Sequence, residues 1–202
     1  MNLIFVGPQG SGKGTQAKII ADKLGLCHIS TGDLLRNATG DFRKEIDSYV
    51  TKGALVPDEL IIDLLEEKFH SKECKRGYIL DGFPRNLKQA EYLDKITQIH
   101  HVVEINISDS EAIKRLGGRL NCKNCGAVFN VTSNPPKKKG SCDSCGGELY
   151  TRDDDKEEAI KKRLQIYHAD TKPILKRYST IKINGEQGIT KVTSDILAEI
   201  SS

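Results

Sequence analysis

The 202-residue sequence lacks any apolar run long enough to cross a membrane. Its first apolar run has no basic region before it and leads directly into a glycine-rich turn, so we expect no signal peptide and a cytosolic protein. The formal net charge is only +3, which is too small to indicate a nucleic-acid partner. Because the cytosol keeps thiols reduced, the six cysteines are expected to be free thiols or metal ligands.

The best-defined feature that is present is a glycine-rich turn near the N-terminus. Residues 2–6 are predicted to form a buried strand and residues 16–24 a helix, and residues 7–15 between them contain four glycines. The spacing from Gly7 to Lys13 matches the P-loop, whose backbone N–H groups bind phosphate at a helix N-terminus. Lys13 adds a mobile positive charge, and Thr15 is the candidate for a hydroxyl near Mg²⁺. A glycine-rich turn without a ligand is the alternative interpretation.

Strands and helices alternate along most of the chain, which predicts an α/β fold with a five-stranded parallel sheet flanked by helices. The further strands are predicted at 27–30, 78–80, 101–107 and 181–183. In such folds the ligand crevice lies at the carboxyl ends of the strands. The P-loop, Thr31, Asp81 and Asp109 all follow predicted strands and are expected there. A long helix is predicted from about 155 to 178, with a break before Pro173.

Two Cys-x-x-Cys pairs, separated by sixteen residues, lie in a segment that is poor in long apolar side chains. They comprise Cys122, Cys125, Cys142 and Cys145. This spacing predicts a structural zinc site with four thiolates, because four protein ligands leave no open coordination position. Two disulfides are the alternative. Cys27 and Cys74 are interpreted as isolated core or near-surface residues, and no histidine has ligand spacing.

Acidic and basic side chains suited to phosphoryl transfer accompany the P-loop. Asp81 ends an apolar strand, where P-loop enzymes hold Mg²⁺ or its water; an ordinary turn-capping Asp is the alternative. Phosphoryl transfer needs cations aimed at the phosphoryl oxygens and exclusion of water, but no strong general base. The candidate cations are Arg36, Arg85, Arg115, Arg119, Arg152 and Arg163.

Taken together, the motifs resemble adenylate kinase of the long bacterial type with a zinc-binding lid, and the resemblance runs the whole length. Its most specific parts are Gly-Lys-Gly-Thr at 12–15 and Asp-Gly-Phe-Pro-Arg at 81–85. Further matches are Ser-Thr-Gly-Asp at 30–33, Leu-Val-Pro-Asp at 55–58 and Thr-Arg-Asp-Asp at 151–154. The resemblance implies a P-loop nucleoside monophosphate kinase fold. It also implies reversible phosphoryl transfer from ATP to AMP, giving two ADP, with Mg²⁺.

The resemblance also implies roles for individual residues. The ATP contacts would be Gly10, Ser11, Gly12, Lys13, Gly14, Thr15, Arg115, Arg119, Val128, Phe129 and Gln187. The AMP contacts would be Thr31, Arg36, Ala54, Leu55, Val56, Gly82, Phe83, Pro84, Arg85, Gln89, Arg152 and Arg163. The catalytic set would be Lys13, Asp81, Arg85, Arg119, Arg152 and Arg163, with Asp154 and Asp155 positioning the lid arginines.

The implied organisation is a core with two mobile inserts. The core would comprise residues 1–29, 57–117 and 156–202, the AMP-binding insert 30–56 and the lid with its zinc 118–155. Two positions depart from the family pattern. Leu120 stands where a second arginine is usual, which removes one positive charge at the lid hinge, and Pro8-Gln9 stands where Ala-Pro is commoner. We expect a monomer whose partners are ATP, AMP and ADP, without nucleic acid or membrane.

Two alternatives remain open at this stage. A UMP or CMP kinase would share most of these motifs, because physical chemistry alone does not identify the acceptor base. An ATP-dependent nucleic-acid-binding protein would use the cysteine-rich segment as a zinc ribbon. That segment has Lys123, the lysines at 137–139 and only Phe129 as an aromatic platform, which disfavours this alternative.

Overall fold

The computed structural model describes residues 1–50 and 56–201. The central elements in chain order are β1 (Asn2–Val6), α1 (Lys13–Leu24), β2 (Cys27–Ser30), α2 (Thr31–Asn37), α3 (Gly40–Val50), α4 (Asp58–Phe69), β3 (Tyr78–Asp81), α5 (Leu87–Ile96), β4 (His101–Asn106) and α6 (Asp109–Gly117). They continue with β5 (Arg119–Cys122), β6 (Val128–Asn130), β7 (Leu149–Tyr150), α7 (Glu157–Ile166), β8 (Thr180–Asn184) and α8 (Ile189–Ile200). No helix among the described residues is both long and apolar enough to cross a membrane.

Five parallel strands form the main sheet in the order β2-β3-β1-β4-β8, which confirms the predicted α/β fold. Along β1, Leu3 and Phe5 face one side of the sheet and pack with α1 and α8 residues such as Ile20 and Ile196. Ile4 and Val6 face the other side and pack in a second cluster that includes Phe83. Since both faces are covered, the central strand β1 is apolar from Leu3 to Val6, as expected for a parallel sheet.

The C-terminal ends of β1, β2, β3 and β4 share one edge of the sheet, so the P-loop, Thr31, Asp81 and Asp109 lie along the same crevice, as predicted. Ser108 caps α6 by accepting a hydrogen bond from the Glu111 N–H at 3.3 Å. Directly after the P-loop, α1 is joined to α8 by Gln16, whose Nε2 donates to the Ile189 carbonyl at 2.9 Å. Its Oε1 accepts from the Thr193 hydroxyl at 2.7 Å, and the N-terminal helix is therefore firmly anchored.

The expectation that all six cysteines are free thiols or metal ligands is wrong for Cys27 and Cys74, which form a disulfide with a Cα–Cα distance of 4.9 Å. The strand register explains the pairing. Cys27 lies opposite Tyr78 where β2 pairs with β3, and Cys74 lies in a short 3₁₀ turn (Lys72–Cys74) just before β3. The two residues are 47 positions apart in sequence, so their proximity depends on strand order, which the sequence pattern does not specify.

The predicted long C-terminal helix is divided into three parts. The α-helix α7 ends at Ile166, a π-helical turn follows at Tyr167–Thr171, and a 3₁₀ helix occupies Lys172–Arg177. Pro173 stands near the start of the 3₁₀ helix, where its missing N–H cannot continue an α-helical ladder. The π turn places Tyr167 and Thr171 beside the crevice at the strand ends.

The segment with the two Cys-x-x-Cys pairs forms a separate antiparallel sheet in the order β6-β5-β7. Its small core contains Cys122, Phe129, Cys142 and Leu149, with Leu120 packed against it. At Leu120, where the resemblance led us to expect a second arginine, the side chain therefore makes an apolar contact within this sheet.

Candidate functional site

The P-loop turn positions a helix N-terminus at the crevice. Gly12 adopts φ +88°, a left-handed conformation that favours glycine, and it immediately precedes α1. The Ser11 N–H donates to the Pro8 carbonyl at 3.2 Å and closes the turn. The Ser11 hydroxyl is buried and has no hydrogen-bond partner within the described parts of the chain. These N–H and O–H groups form a cradle suited to an anion.

Lys13 supplies the cation of this cradle. Its Nζ lies 3.4 Å from the Pro8 carbonyl oxygen, inside the turn. Enclosure by protein atoms lowers the pKa of Lys13 to about 8; the Asp81 carboxylate opposes this shift, and Arg85, Arg119 and Arg163 reinforce it. Several positive charges therefore act on the Lys13 site alongside the Asp81 carboxylate, and positive charge of this kind attracts phosphate.

The Asp81 carboxylate faces the P-loop from the end of β3. Its Oδ2 lies 3.7 Å from His28 Nε2 on the neighbouring strand. Burial alone would raise the pKa of Asp81, but His28, Lys13 and Arg85 together hold that pKa below its usual value. The carboxylate is therefore ionised near neutral pH. Oxygen ligands of this kind suit Mg²⁺ or its coordinated water.

The turn after β3 forms the opposite wall of the crevice. Gly82 has φ +84°, and a Cβ there would lie 2.8 Å from Thr31 Oγ1, so only glycine fits. The Thr31 hydroxyl donates to the Gly82 carbonyl at 2.9 Å, and Arg85 Nε donates to the same carbonyl at 2.8 Å. Gln89 Oε1 accepts from the Arg85 N–H at 2.7 Å. These bonds set the position of the Arg85 guanidinium.

The residues that follow Gly82 in this turn present backbone rather than reactive side chains. Phe83 is 1% exposed and belongs to the core, and the Phe83–Pro84 peptide bond is cis. Gln89 is also buried, and its Nε2 donates to Asp58 Oδ1 at 2.6 Å. Both amide ends of Gln89 are therefore engaged within the protein.

An apolar recess lies beside the turn, between α2 and α4. It is lined by Thr31, Leu34, Leu35, Ile61 and Leu64. Near it, Arg36 forms an ion pair with Asp33 at 2.6 Å, and Val56 packs against the cluster of Ile46, Leu60 and Leu64. Ala54 and Leu55, which were also predicted to bind AMP, lie outside the described residues.

Lys13 and Arg85 line one cleft, with an open volume of about 60 Å³, between the P-loop and the turn after β3. The two most specific sequence motifs, Gly-Lys-Gly-Thr at 12–15 and Asp-Gly-Phe-Pro-Arg at 81–85, therefore both contribute residues to this cleft. Its other polar side chains are Gln9, Tyr167 and Thr171, which the sequence analysis did not select as site residues. The only signal in the sequence was the departure at Pro8-Gln9; nothing distinguished Tyr167 or Thr171 from ordinary helix residues.

Three predicted arginines meet at the base of the cysteine-rich segment, around two carboxylates. Arg119 makes a bidentate pair with Asp155, with distances of 2.8 and 2.6 Å. Arg152 makes a bidentate pair with Asp154, at 2.9 and 3.0 Å. Arg163 contacts both, at 2.9 Å from Asp154 Oδ2 and 3.2 Å from Asp155 Oδ1. The side chain of Asp155 is fully buried, so this network is a firm junction between the segment and α7.

The remaining predicted ATP contacts are more scattered. Arg115 lies 3.5 Å from the Gly10 carbonyl and pairs with Glu111 at 2.8 Å. Gln187 donates to Asp195 at 3.1 Å. Val128 is 48% exposed, whereas the Phe129 side chain faces the core of the small sheet. A nucleotide at residues 128–129 would therefore meet the Val128 side chain and the backbone.

The four remaining cysteines come together as predicted. Their sulfur atoms all lie within 4.8 Å of one another, with Cys122–Cys145 at 3.5 Å and Cys125–Cys142 at 3.6 Å. Four thiolates bound to zinc at about 2.3 Å in tetrahedral geometry lie about 3.8 Å apart, so the arrangement fits a metal.

Comparison with known proteins agrees with this geometry. The family model described as adenylate kinase matches residues 5–183. An adenylate kinase from Methanocella arvoryzae is 46% identical over 99% of this chain and 98% of the relative. Adenylate kinases from Caldicellulosiruptor bescii and Bacillus cytotoxicus are 44% and 45% identical, over 98% and 97% of this chain and 97% and 96% of theirs.

Proposed function

Since the chain belongs to the adenylate kinase family, we propose that it catalyses reversible transfer of the terminal phosphoryl group of ATP to AMP, giving two ADP. The observation that carries the proposal is the single cleft that Lys13 and Arg85 line from opposite walls. A phosphoryl group moving between two nucleotides needs a cation on each side of its path. In this proposal the P-loop would hold the donor and the turn after β3 would hold the acceptor.

On the donor side, we propose that residues 10–15 hold the ATP phosphates through backbone N–H groups and Lys13. Arg115, Arg119, Val128, Phe129 and Gln187 would complete the ATP site. Thr15 is exposed at the first turn of α1, where its hydroxyl can meet a Mg²⁺ ion carried by ATP. Bound Mg²⁺ would neutralise phosphate charge, with Asp81 holding its coordinated water.

On the acceptor side, the AMP phosphate would bind Arg36 and Arg85, and its base would enter the apolar recess beside Thr31. We propose that Val56, Gln89 and residues 82–84 also contact AMP, together with Ala54 and Leu55. Because Phe83 and Gln89 are buried, recognition there would depend on backbone groups and on the shape of the recess.

At the base of the lid, Arg119, Arg152 and Arg163 would supply positive charge to the phosphoryl oxygens in the transition state. In the unliganded structure, Asp154 and Asp155 hold all three arginines in one cluster. The proposed core comprises residues 1–29, 57–117 and 156–202. The two inserts, residues 30–56 and 118–155, would close over it and bring these cations over the cleft. Closure would also exclude water, which would otherwise hydrolyse ATP.

We propose that the four cysteines bind structural zinc. The site has four protein ligands, so the ion would have no open position for chemistry and would act as the core of a segment with few apolar residues. Rigid zinc-bound lid strands would concentrate motion at the two ends of the segment. We also propose a cytoplasmic monomer whose partners are ATP, AMP and ADP.

A coupled assay with AMP, CMP, UMP and GMP as acceptors tests the proposed reaction. We expect AMP to be the preferred acceptor; a preference for UMP or CMP would replace adenylate kinase activity by pyrimidine nucleotide kinase activity. Lys13→Met is expected to abolish transfer while leaving the circular dichroism spectrum unchanged. Normal turnover in this variant would refute the phosphate role of Lys13.

A further inference from the structure

Tyr167 is the one residue of the cleft with a buried hydroxyl that no role yet explains. It is 4% exposed, and its hydroxyl has no hydrogen-bond partner among the described residues. Buried hydroxyl groups are normally paired, because leaving one unsatisfied costs about 1–3 kcal/mol. An orphaned hydroxyl at a ligand cleft is therefore a candidate for a bond that forms only when the ligand is present.

The position of Tyr167 on its helix strengthens this interpretation. Arg163, Tyr167 and Thr171 follow one another at four-residue intervals along α7 and the π turn. Arg163 binds the carboxylates at the base of the lid, and the Thr171 hydroxyl donates to the Arg85 carbonyl at 2.8 Å. Tyr167 lies between these two contacts and lines the cleft together with Lys13 and Arg85. Single-turn π segments of this kind are frequent at functional sites.

The chemistry of the phenol suits a phosphate oxygen. Burial raises the pKa of Tyr167, and the nearby carboxylates of Glu104 and Asp109 raise it further, so the group stays protonated and remains a donor. The cations in this cleft attract the polyphosphate. A neutral hydroxyl donor would orient a phosphoryl oxygen through a directional hydrogen bond, without adding further positive charge. The Thr171 hydroxyl is not available for this bond, because it already donates to the Arg85 carbonyl.

We propose that the Tyr167 hydroxyl donates a hydrogen bond to a phosphoryl oxygen in the cleft when both nucleotides are bound, and so helps to position the group that is transferred. This inference rests on the proposed phosphoryl transfer. Its competitor is a purely structural role, in which a water molecule joins the hydroxyl to Glu104, a buried carboxylate on β4.

The test is Tyr167→Phe, with the melting temperature of the unliganded protein, kcat, KM and the affinity for a bisubstrate dinucleotide as readouts. We expect an unchanged melting temperature, because the hydroxyl has no partner to lose. We expect kcat to fall about 10- to 100-fold with KM nearly unchanged, as for loss of one hydrogen bond to a charged oxygen in the transition state. The affinity for the dinucleotide should fall by a factor in the same range.

Tyr178→Phe is the matched control. The Tyr178 hydroxyl donates to Asp94 Oδ1 at 2.8 Å and does not line the cleft. This variant should lose some thermal stability and keep wild-type turnover, which is the opposite pattern.

Two results would overturn the proposal: wild-type kcat and dinucleotide affinity in Tyr167→Phe, or a loss of melting temperature there as large as in Tyr178→Phe. The wild-type protein separates this failure from failure of the proposed function. If wild type does not convert AMP, the function is wrong; if it does and the Phe variant is normal, only the role of Tyr167 is wrong.

Discussion

Replacing Asp155 by Asn should be among the most damaging single changes at the base of the cysteine-rich segment. The carboxylate is fully buried and receives two hydrogen bonds from Arg119, at 2.8 and 2.6 Å, and one from Arg163 at 3.2 Å. An amide keeps the shape but removes the negative charge and one acceptor. The guanidinium of Arg119 would then remain largely enclosed with no full counter-charge.

The magnitude follows from the burial. Removing one partner of a buried ion pair typically costs about 3–5 kcal/mol. In a chain of this length, each 1 kcal/mol lowers the melting temperature by about 2–4 °C, so a fall of about 6–20 °C is expected. Because Asp155 also orients two lid arginines, kcat should fall at temperatures where the variant is still folded.

Asp154→Asn and Glu157→Gln are the matched controls, measured by urea unfolding followed by circular dichroism. The Asp154 side chain is 41% exposed, so solvent screens its pairs and we expect a loss of about 1 kcal/mol or less. Glu157 pairs with Lys161 on the exposed surface of α7, so no measurable change in stability is expected. An Asp155→Asn variant no less stable than Asp154→Asn would refute the reasoning from burial.

Three further predictions concern Lys13, the thiolate cluster and the disulfide. Since the pKa of Lys13 is lowered to about 8, its ammonium charge is lost as pH rises through that value, and kcat/KM for ATP should decline above about pH 8. In Lys13→Arg, which stays charged, this decline should disappear; an identical decline would exclude Lys13 as its source. Cys142→Ser should remove bound zinc, measured by metal analysis, and lower the melting temperature much more than turnover at room temperature. An unchanged melting curve would argue against a structural metal. Breaking the Cys27–Cys74 bond with a phosphine reductant should lower the free energy of unfolding by about 2–4 kcal/mol, because it releases a 47-residue loop. Cys74→Ser should be insensitive to the reductant, and equal stability of oxidised and reduced wild type would contradict the prediction.

Local patterns were enough to predict much of the fold and the candidate site. The P-loop could be recognised because its glycines, its lysine and its flanking strand and helix are contiguous in sequence. The four clustered cysteines could be recognised because ligand spacing reflects the geometry of a metal. The strand ends at Thr31 and Asp81 followed from the rule that a parallel sheet binds ligands at its carboxyl edge.

Contacts between distant parts of the chain were not predictable in this way. The Cys27–Cys74 bond depends on the register of β2 against β3, and hydrophobic patterning within either strand does not determine which strands are neighbours. Tyr167 resembled an ordinary apolar helix residue, and only the three-dimensional arrangement shows that its hydroxyl is buried without a partner. Pro173 predicted a break in the last long helix, but the π turn at Tyr167–Thr171 has no recognised signal in the sequence.

The central claim is that amides and cations held on two walls of one cleft bind two nucleotides end to end. A crystal structure with a dinucleotide whose two adenosines are joined by a polyphosphate tests it most directly. We predict that the polyphosphate crosses the cleft, with one end on the amides of Gly12 and Lys13 and the other beside Arg85. A bridge lying outside this cleft, in contact with neither wall, would contradict the account.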